Sequence, residues 1–301
     1  MKLSVLGGGK MGEAFIAGLI AAAAAGELES ARSAVAESDI ASPARRAGGS
    51  VTVGKSDIRV AEVDPDRREY LETQFGIATT PRADEAASGA SAILLAVKPG
   101  DVPECLETCR DALDPSTLVI SIAAGIRLDT LEAHLPDRQK VVRAMPNLGA
   151  TIRAGVSAYF ASSSLSEHDL DVTEGILGAV GPAVRLAEER LLDLVTAVSG
   201  SGPAYVFALA EAMQAAATEG GLSEETAYLL VSQTILGAAR LLAESGPGSP
   251  GGLTAAQWRE AVTSKGGTTA AALAVFDEAG FEEIVVRAIE SARARSAELG
   301  S

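Results

Sequence analysis

Residues 3–12 read Leu3-Ser4-Val5-Leu6-Gly7-Gly8-Gly9-Lys10-Met11-Gly12, and this stretch decides the fold. Leu3 to Leu6 has the composition of a short buried strand, and residues 13–20 have the apolar spacing of a helix. The glycines between them follow the pattern Gly-x-Gly-x-x-Gly, which binds the pyrophosphate of a dinucleotide when it joins a strand to a helix. A glycine-rich turn without a ligand is the alternative. The predicted dinucleotide contacts are Gly7, Gly9, Lys10, Met11 and Gly12.

Strands alternate with helical segments through the first half of the chain. Further predicted strands are Ile58–Val63, Ala92–Val97, Leu118–Ile122, Lys140–Met145 and Val156–Phe160. This alternation is typical of an α/β fold with a Rossmann-type, doubly wound and mainly parallel sheet. Residues 21–57 interrupt this alternation of strands and helices, because the connection between a first helix and a second strand is normally short. We interpret them as an insertion.

From about Ser163 onwards the sequence changes to alanine-rich helical segments. Long apolar faces, such as those of residues 204–218 and 227–242, need a partner to cover them. We therefore expect two domains. Residues 1–162 would form a dinucleotide-binding domain with an insertion at about 21–57, and residues 163–301 an all-helical domain for substrate binding and dimerisation.

Composition limits the classes of partner. The net charge of −15 predicts no nucleic acid and no anionic membrane surface. Met1 to Leu6 is too short for the apolar part of a signal peptide, and the run Ala14 to Ala25 falls short of a membrane span, so we expect a cytoplasmic protein. Cys105 and Cys109 are the only cysteines. Without further ligands nearby they predict reduced thiols and no metal site.

The charges after the second strand bear on the choice between NADH and NADPH. An acid at this position, Glu62 or Asp64, would bind the ribose 2′-hydroxyl and repel the 2′-phosphate of NADPH. Arg67 and Arg68 would favour that phosphate instead. A solvated helix start explains the same charges, so the sequence leaves the cofactor as NADPH or NADH, with Glu62 as the predicted contact.

Later strand ends carry further candidates, because open α/β sheets bind ligands at the carboxyl ends of their strands. Lys98 would reach a cofactor phosphate or ribose, and Asn147 would bond to the nicotinamide amide or to the substrate. Small residues between them would let a flat nicotinamide lie close. Structural Lys-Pro and Pro-Asn turns are the alternatives. The predicted cofactor contacts here are Ala96, Val97, Lys98, Pro99, Ala123, Ala124, Gly125 and Asn147.

Val262 to Thr269 predicts a second anion site. Glycines free its backbone, hydroxyls add donors, and the apolar run Ala270 to Phe276 indicates a helix whose first N–H groups favour negative charge. A small carboxylate fits such a loop. The predicted substrate contacts are Ser264, Lys265, Gly266, Gly267, Thr268 and Thr269.

These motifs occur together in the order and spacing of one family. The chain closely resembles pyrroline-5-carboxylate reductases in Gly7 to Gly12, Ala96 to Pro99, Met145 to Asn147, Ser199 to Tyr205 and Thr263 to Thr269, followed by Phe276 and Gly280-Phe281. The resemblance covers nearly all of the chain except residues 21–57. Its C-terminal signature is more specific than the glycine pattern.

The resemblance implies an NAD(P)H-dependent reduction of 1-pyrroline-5-carboxylate to L-proline, the final step of proline biosynthesis. It also implies a homodimer through the helical domain, which in some members assembles further into a decamer. Family members hold the substrate carboxylate in the loop that is Ser264 to Thr269 here, and Thr269 stands at the position of their proposed proton donor. Two departures are Lys265, where the family usually has proline, and Ala83, where it usually has asparagine.

Two other functions remain open at this point. A dehydrogenase of 3-hydroxy acids would share the glycine turn and the helical domain, but its chemistry generally needs a lysine on a helix of the C-terminal domain. Lys265 is the only lysine after Lys140, and it lies in a glycine-rich loop. A non-catalytic dinucleotide sensor would bind NAD(P)H without needing the loop from Ser264 to Thr269.

Overall fold

The computed structural model describes residues 1–25, 53–163, 165–245 and 251–300. Contacts divide the chain into two compact units. The first comprises Met1–Ser201 together with Ala292–Ser301, and the second comprises Gly202–Ser291. Each unit is described by itself below.

In the described residues, the first unit is built on a sheet of eight strands in the order β3-β2-β1-β4-β5-β6-β7-β8. The strands are β1 Leu3–Leu6, β2 Ile58–Ala61, β3 Ala78–Thr80, β4 Ala92–Leu95, β5 Leu118–Ser121, β6 Lys140–Met145, β7 Ser157–Ala161 and β8 Ala183–Arg185. All pairings are parallel except that of β6 with β7. The strand order reverses between β1 and β4, which is where doubly wound sheets bind ligands. The predicted α/β, Rossmann-type fold is confirmed.

Twelve α-helices connect and extend this sheet in the described part of the chain. They are α1 Lys10–Ala25, α2 Pro65–Phe75, α3 Ala83–Ala87, α4 Val102–Cys109, α5 Leu128–Ala133, α6 Glu167–Gly178, α7 Leu191–Val195, α8 Gly202–Glu219, α9 Glu224–Glu244, α10 Ala255–Ala261, α11 Thr268–Glu278 and α12 Phe281–Leu299. Helix α1 continues through residues 21–25, which the sequence had assigned to the insertion. A short 3₁₀ turn at Lys55–Asp57 precedes β2, and the rest of the predicted insertion, residues 26–52, lies outside the described residues.

The sheet is covered on both faces, as parallel sheets require. Side chains of each strand alternate between two apolar clusters. One cluster joins Val5 and Leu94 to helices α1 and α6, and the other joins Ile93 and Val119 to helices α3, α4 and α5. Because α6 packs on the sheet and β8 pairs with β7, the first unit continues to Ser201. The domain boundary predicted after residue 162 therefore falls inside the first compact unit, and β8 adds a strand to the part predicted to be all-helical.

The second unit has few buried side chains. In its described residues, only Ala227 and Val231 are buried. Helices α8 and α9 pack against each other, and the rings of Phe276 and Phe281 stack with centroids 5.2 Å apart. Exposed apolar side chains of this unit include Tyr205, Val206, Phe207, Leu209, Tyr228, Leu229, Leu230, Leu241, Val275, Ile284 and Val286. The unit therefore lacks a core of its own.

Two helical stretches meet the length and composition of membrane-crossing helices. They are Leu191–Glu219 and Glu224–Glu244, and only 11% of the most apolar window of each is buried. Length and composition alone do not distinguish a membrane span from a helix that packs against another protein chain.

A buried ion-pair cluster joins the C-terminal end of the chain to the sheet. The guanidinium of Arg143 on β6, which is 4% exposed, donates to Glu189 Oε1 at 2.8 Å and to Asp193 Oδ1 at 3.4 Å. The same carboxylates accept from Leu128 N–H at 2.8 Å and from Ser296 Oγ at 2.9 Å. One arginine thus holds together β6, α7, the start of α5 and the end of α12.

Replacing Arg143 with methionine should destabilise the protein strongly. The change keeps most of the side-chain volume but leaves the carboxylates of Glu189 and Asp193 without their cation. Loss of one partner from a buried ion pair costs about 3 kcal/mol or more of unfolding free energy. Urea unfolding at a fixed protein concentration measures this loss. The matched control is Arg295→Met, which removes an exposed pair with Glu298 and should cost less than about 1 kcal/mol. Equal costs for the two variants would contradict the structural role of the cluster.

Candidate active site

The glycine turn between β1 and α1 leaves no room for side chains at two of its positions. Gly7 has a φ of +103°, and a Cβ there would lie 2.7 Å from the Ala96 carbonyl oxygen. A Cβ at Gly12 would lie 2.1 Å from the Gly7 carbonyl oxygen. At Gly9, by contrast, a Cβ would have no neighbour within 4 Å. The backbone of Gly9 therefore faces open space at the first turn of a helix.

The first helical turn of α1 supplies donors to that space. The first intrahelical bond runs from Glu13 N–H to the Gly9 carbonyl at 2.9 Å. The N–H groups of Lys10, Met11 and Gly12 therefore have no acceptor within the helix. Such a helix start binds phosphate groups through its N–H donors and its dipole. The geometry fits the pyrophosphate of a dinucleotide.

A cavity of about 230 Å³ lies at the carboxyl ends of β4, β5 and β6, beside the glycine turn. It is lined by Met11, Ala96, Val97, Pro99, Ile122, Ala123, Ala124, Met145 and Pro146. Six of these residues are among the predicted cofactor contacts. Ile122, Met145 and Pro146 were not, although each lies within two residues of a predicted contact at the same strand end. A wider depression of about 660 Å³ at Arg127, Asp129 and Gly300 lies away from the glycine turn.

Three of the eight cofactor contacts predicted at the ends of β4, β5 and β6 do not line the cavity. Lys98 is exposed and precedes a 3₁₀ turn at Pro99–Asp101. Asn147 Oδ1 accepts from Val156 N–H at 3.2 Å, which gives that side chain a role in holding its own loop. Gly125 has a φ of +78°, and a Cβ there would lie 3.2 Å from Leu299 Cβ. Its backbone therefore packs against the C-terminal end of the chain.

At the end of β2 the structure distinguishes the two acids left open by the sequence. Glu62 Oε2 accepts from Gly8 N–H at 2.9 Å, so this carboxylate contacts the glycine turn. Asp64 instead caps helix α2, accepting from Asp66 N–H at 3.0 Å. Glu62 is the acid adjacent to the dinucleotide-binding turn.

The loop between α10 and α11 belongs to the second unit. Gly266 has a φ of +73°, and a Cβ on Gly267 would lie 2.3 Å from Ser264 Oγ. Gly267 N–H donates to the Ser264 carbonyl at 3.0 Å, which closes a tight turn. Gly267 is also the N-cap of α11 and has no side chain to accept from the first helical turn. The N–H groups of residues 268–270 are therefore open to an anion.

The predicted substrate contacts in this turn differ in how exposed they are. Lys265 and Thr268 are exposed, whereas Thr269 is half-buried in the first turn of α11. In contrast to α11, the starts of α9 and α10 carry side-chain caps, Ser223 and Thr254.

A π-helical turn at Thr196–Gly200 precedes α8. Ser199 Oγ donates to the Val195 carbonyl at 3.1 Å, and a Cβ on Gly200 would lie 2.7 Å from Met145 Cε. This segment therefore supports one wall of the cavity through Met145. Single π turns inside helices are frequent at functional sites.

No cluster of three or more metal-ligating side chains occurs among the described residues. Cys105 and Cys109 lie one turn apart on α4. Their hydrogen bond, together with burial, raises the pKa of the Cys109 thiol well above its usual value. A thiol held in its protonated form is a poor ligand and a poor nucleophile.

Both the N-terminal and the C-terminal part of the chain match models of known protein families. Residues 189–299 match the family model described as pyrroline-5-carboxylate reductase dimerisation. Residues 2–125 match the model described as NADP oxidoreductase, coenzyme F420-dependent. The helical part is thus a dimerisation domain of this enzyme family, which supports a homo-oligomer.

Full-length relatives agree with these assignments. The pyrroline-5-carboxylate reductase of Mycobacterium tuberculosis is 35% identical over 315 residues, covering 99% of this chain and 96% of the relative. The enzyme of Pseudomonas aeruginosa is 40% identical over 247 residues, covering 82% of this chain and 88% of the relative.

Solved structures are similar over the whole chain. The pyrroline-5-carboxylate reductase of Coxiella burnetii has a TM-score of 0.84 and 32% identity, covering 100% of this chain and 98% of that one. The Plasmodium falciparum pyrroline carboxylate reductase, solved with NADP bound, has a TM-score of 0.78 and 26% identity over 100% and 98% of the two chains. The chain therefore belongs to the pyrroline-5-carboxylate reductase family and is an oxidoreductase that uses NADH or NADPH.

Proposed function

We propose that this protein reduces 1-pyrroline-5-carboxylate to L-proline with NADH or NADPH, as the final step of proline biosynthesis. The observation that carries the proposal is similarity to reductases of this activity along the entire chain. The glycine turn and the open start of α11 supply the two anion sites that the reaction needs.

The first unit would hold the cofactor. The pyrophosphate would bind at the backbone of Gly9 and the first turn of α1, where no side chain intervenes. The nicotinamide would lie along the cavity at Ala96, Ala123 and Ala124, because small side chains let a flat ring approach the strand ends. When bound, the cofactor supplies the hydride that reduces the C=N bond.

The loop from Ser264 to Thr269 would hold the substrate carboxylate. Its support is the turn closed by Gly267 N–H and the uncapped start of α11. Lys265 adds a positive charge to the loop. A protonated cyclic imine is already electrophilic, so most of the catalysis comes from holding it in the correct orientation. Thr269 would orient the ring nitrogen and relay a proton to it, since an unperturbed hydroxyl is a weak acid.

A second copy of the chain would cover the apolar helices of the second unit. The support is the match of residues 189–299 to a dimerisation domain together with the exposed side chains of α8 and α9. Contiguous exposed apolar patches mark surfaces that bind another protein chain or a membrane. A homodimer through the helical unit accounts for both long apolar stretches without a membrane, and dimers of this kind would be the building blocks of a decamer. We propose that this homo-oligomer works in the cytoplasm.

The activity itself is tested with purified protein. Adding 1-pyrroline-5-carboxylate should oxidise NADH or NADPH and yield proline in equal amount, followed by absorbance and chromatography at low and high salt. Binding of NAD(P)H without substrate-dependent oxidation would instead indicate a dinucleotide sensor. A matched reaction with a 3-hydroxy acid and the oxidised cofactor should give no turnover.

Thr269→Ala should slow turnover by about tenfold to a hundredfold, the range expected when a proton-transfer partner is lost. Cofactor affinity, measured by fluorescence titration of NADH, should stay within about twofold of the wild-type value. Thr269→Ser retains the hydroxyl and should recover much of the rate. If alanine weakened turnover and cofactor binding alike, Thr269 would be structural.

Leu229→Glu should break up the dimer. Leu229 is 58% exposed in α9, and a buried charge at an apolar interface is unfavourable. Size-exclusion chromatography with light scattering, without detergent, should show a dimer or a larger assembly for the wild type and smaller species for the variant. Gln74→Glu adds the same charge to exposed α2 and should leave the assembly unchanged. A wild-type monomer, or a requirement for detergent, would rule out the proposed role of this face.

A further inference from the structure

The glycine turn is bonded to an acidic side chain at the end of the neighbouring strand. Glu62 Oε2 accepts from Gly8 N–H at 2.9 Å, and Glu62 Oε1 accepts from Asp64 N–H at 3.0 Å. Each carboxylate oxygen can accept more than one hydrogen bond. Glu62 is half-buried, so the carboxylate is held in place and still open to a ligand.

The two arginines nearby are held by other groups. Arg67 Nε donates to the Gly8 carbonyl at 2.7 Å, Arg67 also pairs with Glu13, and its guanidinium lies 4.8 Å from the centre of the Tyr70 ring. Arg68 Nη1 donates to the carbonyls of Glu62 and Val63 at 2.8 and 2.9 Å. Arg67 is therefore bonded to the glycine turn and to Glu13, and Arg68 uses its Nη1 group for two main-chain carbonyls.

The position of Glu62 determines which ribose can lie beside it. In a dinucleotide bound at Gly9, the adenosine ribose lies next to the end of the second strand. A 2′-hydroxyl there can donate to a carboxylate, which gives a strong charge-assisted bond. A 2′-phosphate offers no donor when ionised and adds negative charge beside Glu62. The ion pair with Glu13 further reduces what Arg67 can offer to a phosphate.

We infer that Glu62 is the residue that sets cofactor specificity in this chain, and that it selects NADH over NADPH. The inference rests on the proposed function for the cofactor site but concerns only its adenosine end. NADP in the relative from Plasmodium falciparum is no obstacle, because the choice depends on the side chains of each chain at this one strand end.

The test measures binding of ligands that lack the nicotinamide. Isothermal titration of the full-length protein with ADP-ribose and with 2′-phospho-ADP-ribose compares the two riboses directly. A charge-assisted hydrogen bond predicts that ADP-ribose binds about tenfold to a hundredfold more tightly. Equal affinities, or tighter binding of the phosphorylated ligand, would overturn the inference without any need for a variant.

Glu62→Gln tests the carboxylate itself. Glutamine retains an oxygen for Gly8 N–H, gives up the acceptor for Asp64 N–H and removes the charge, so the affinity ratio should move toward the phosphorylated ligand by about tenfold or more. Glu69→Gln makes the same charge change on an exposed residue of α2 and should leave the ratio unchanged. A ratio that stays constant in Glu62→Gln, with a melting temperature near that of the wild type, would contradict the assignment.

The outcome is independent of whether the proposed reaction occurs. Failure of both reduced cofactors to be oxidised by 1-pyrroline-5-carboxylate would refute the function and leave the binding ratio intact. Oxidation of both with equal efficiency, together with equal ligand affinities, would refute only the role of Glu62.

Discussion

Main-chain atoms approach each other so closely at the turn between β1 and α1 that two of its residues have no space for a methyl group. The carbonyl of Gly7 occupies the place that a side chain at Gly12 would need, and the end of β4 occupies the place beside Gly7. This contact sets the first turn of α1 against the strand ends where the sheet order reverses. Everything at the cofactor site depends on it: the open face of Gly9, the approach of Glu62 and the cavity beside Met11.

Much of this arrangement could be predicted from local sequence. A strand, a spaced set of glycines and a helix form a pattern whose geometry is fixed within ten residues, so the fold class followed from it. Short strands were harder, because β3 has only the three residues Ala78–Thr80 and no apolar run to reveal it. The antiparallel pairing of β7 with β6 likewise leaves no mark in the sequence of either strand.

The sequence predicted which residues lie at the strand ends of the site, but it predicted less well what those residues contact. The strand-end residues Ala96 and Ala123 were chosen for their place in the fold, and they line the cavity. Gly125 and Asn147 were chosen by the same logic, yet Gly125 packs against Leu299 and Asn147 bonds to Val156. Those partners lie elsewhere in the chain, so only the packed structure shows them. The sequence could not tell whether Glu62 or Asp64 contacts the glycine turn. The structure shows that Glu62 does, because the Asp64 carboxylate caps the start of α2.

The two ends of the chain contribute to the same compact unit. Residues 292–300 pack with the first 201: Ser296 bonds to Asp193, and Leu299 lies over Gly125. During synthesis the sheet emerges from the ribosome before residues 292–300 do, so the loop after β5 stays uncovered until these residues have been made. A nascent chain that has not yet reached residue 292 therefore leaves Gly125 without the cover that Leu299 gives it.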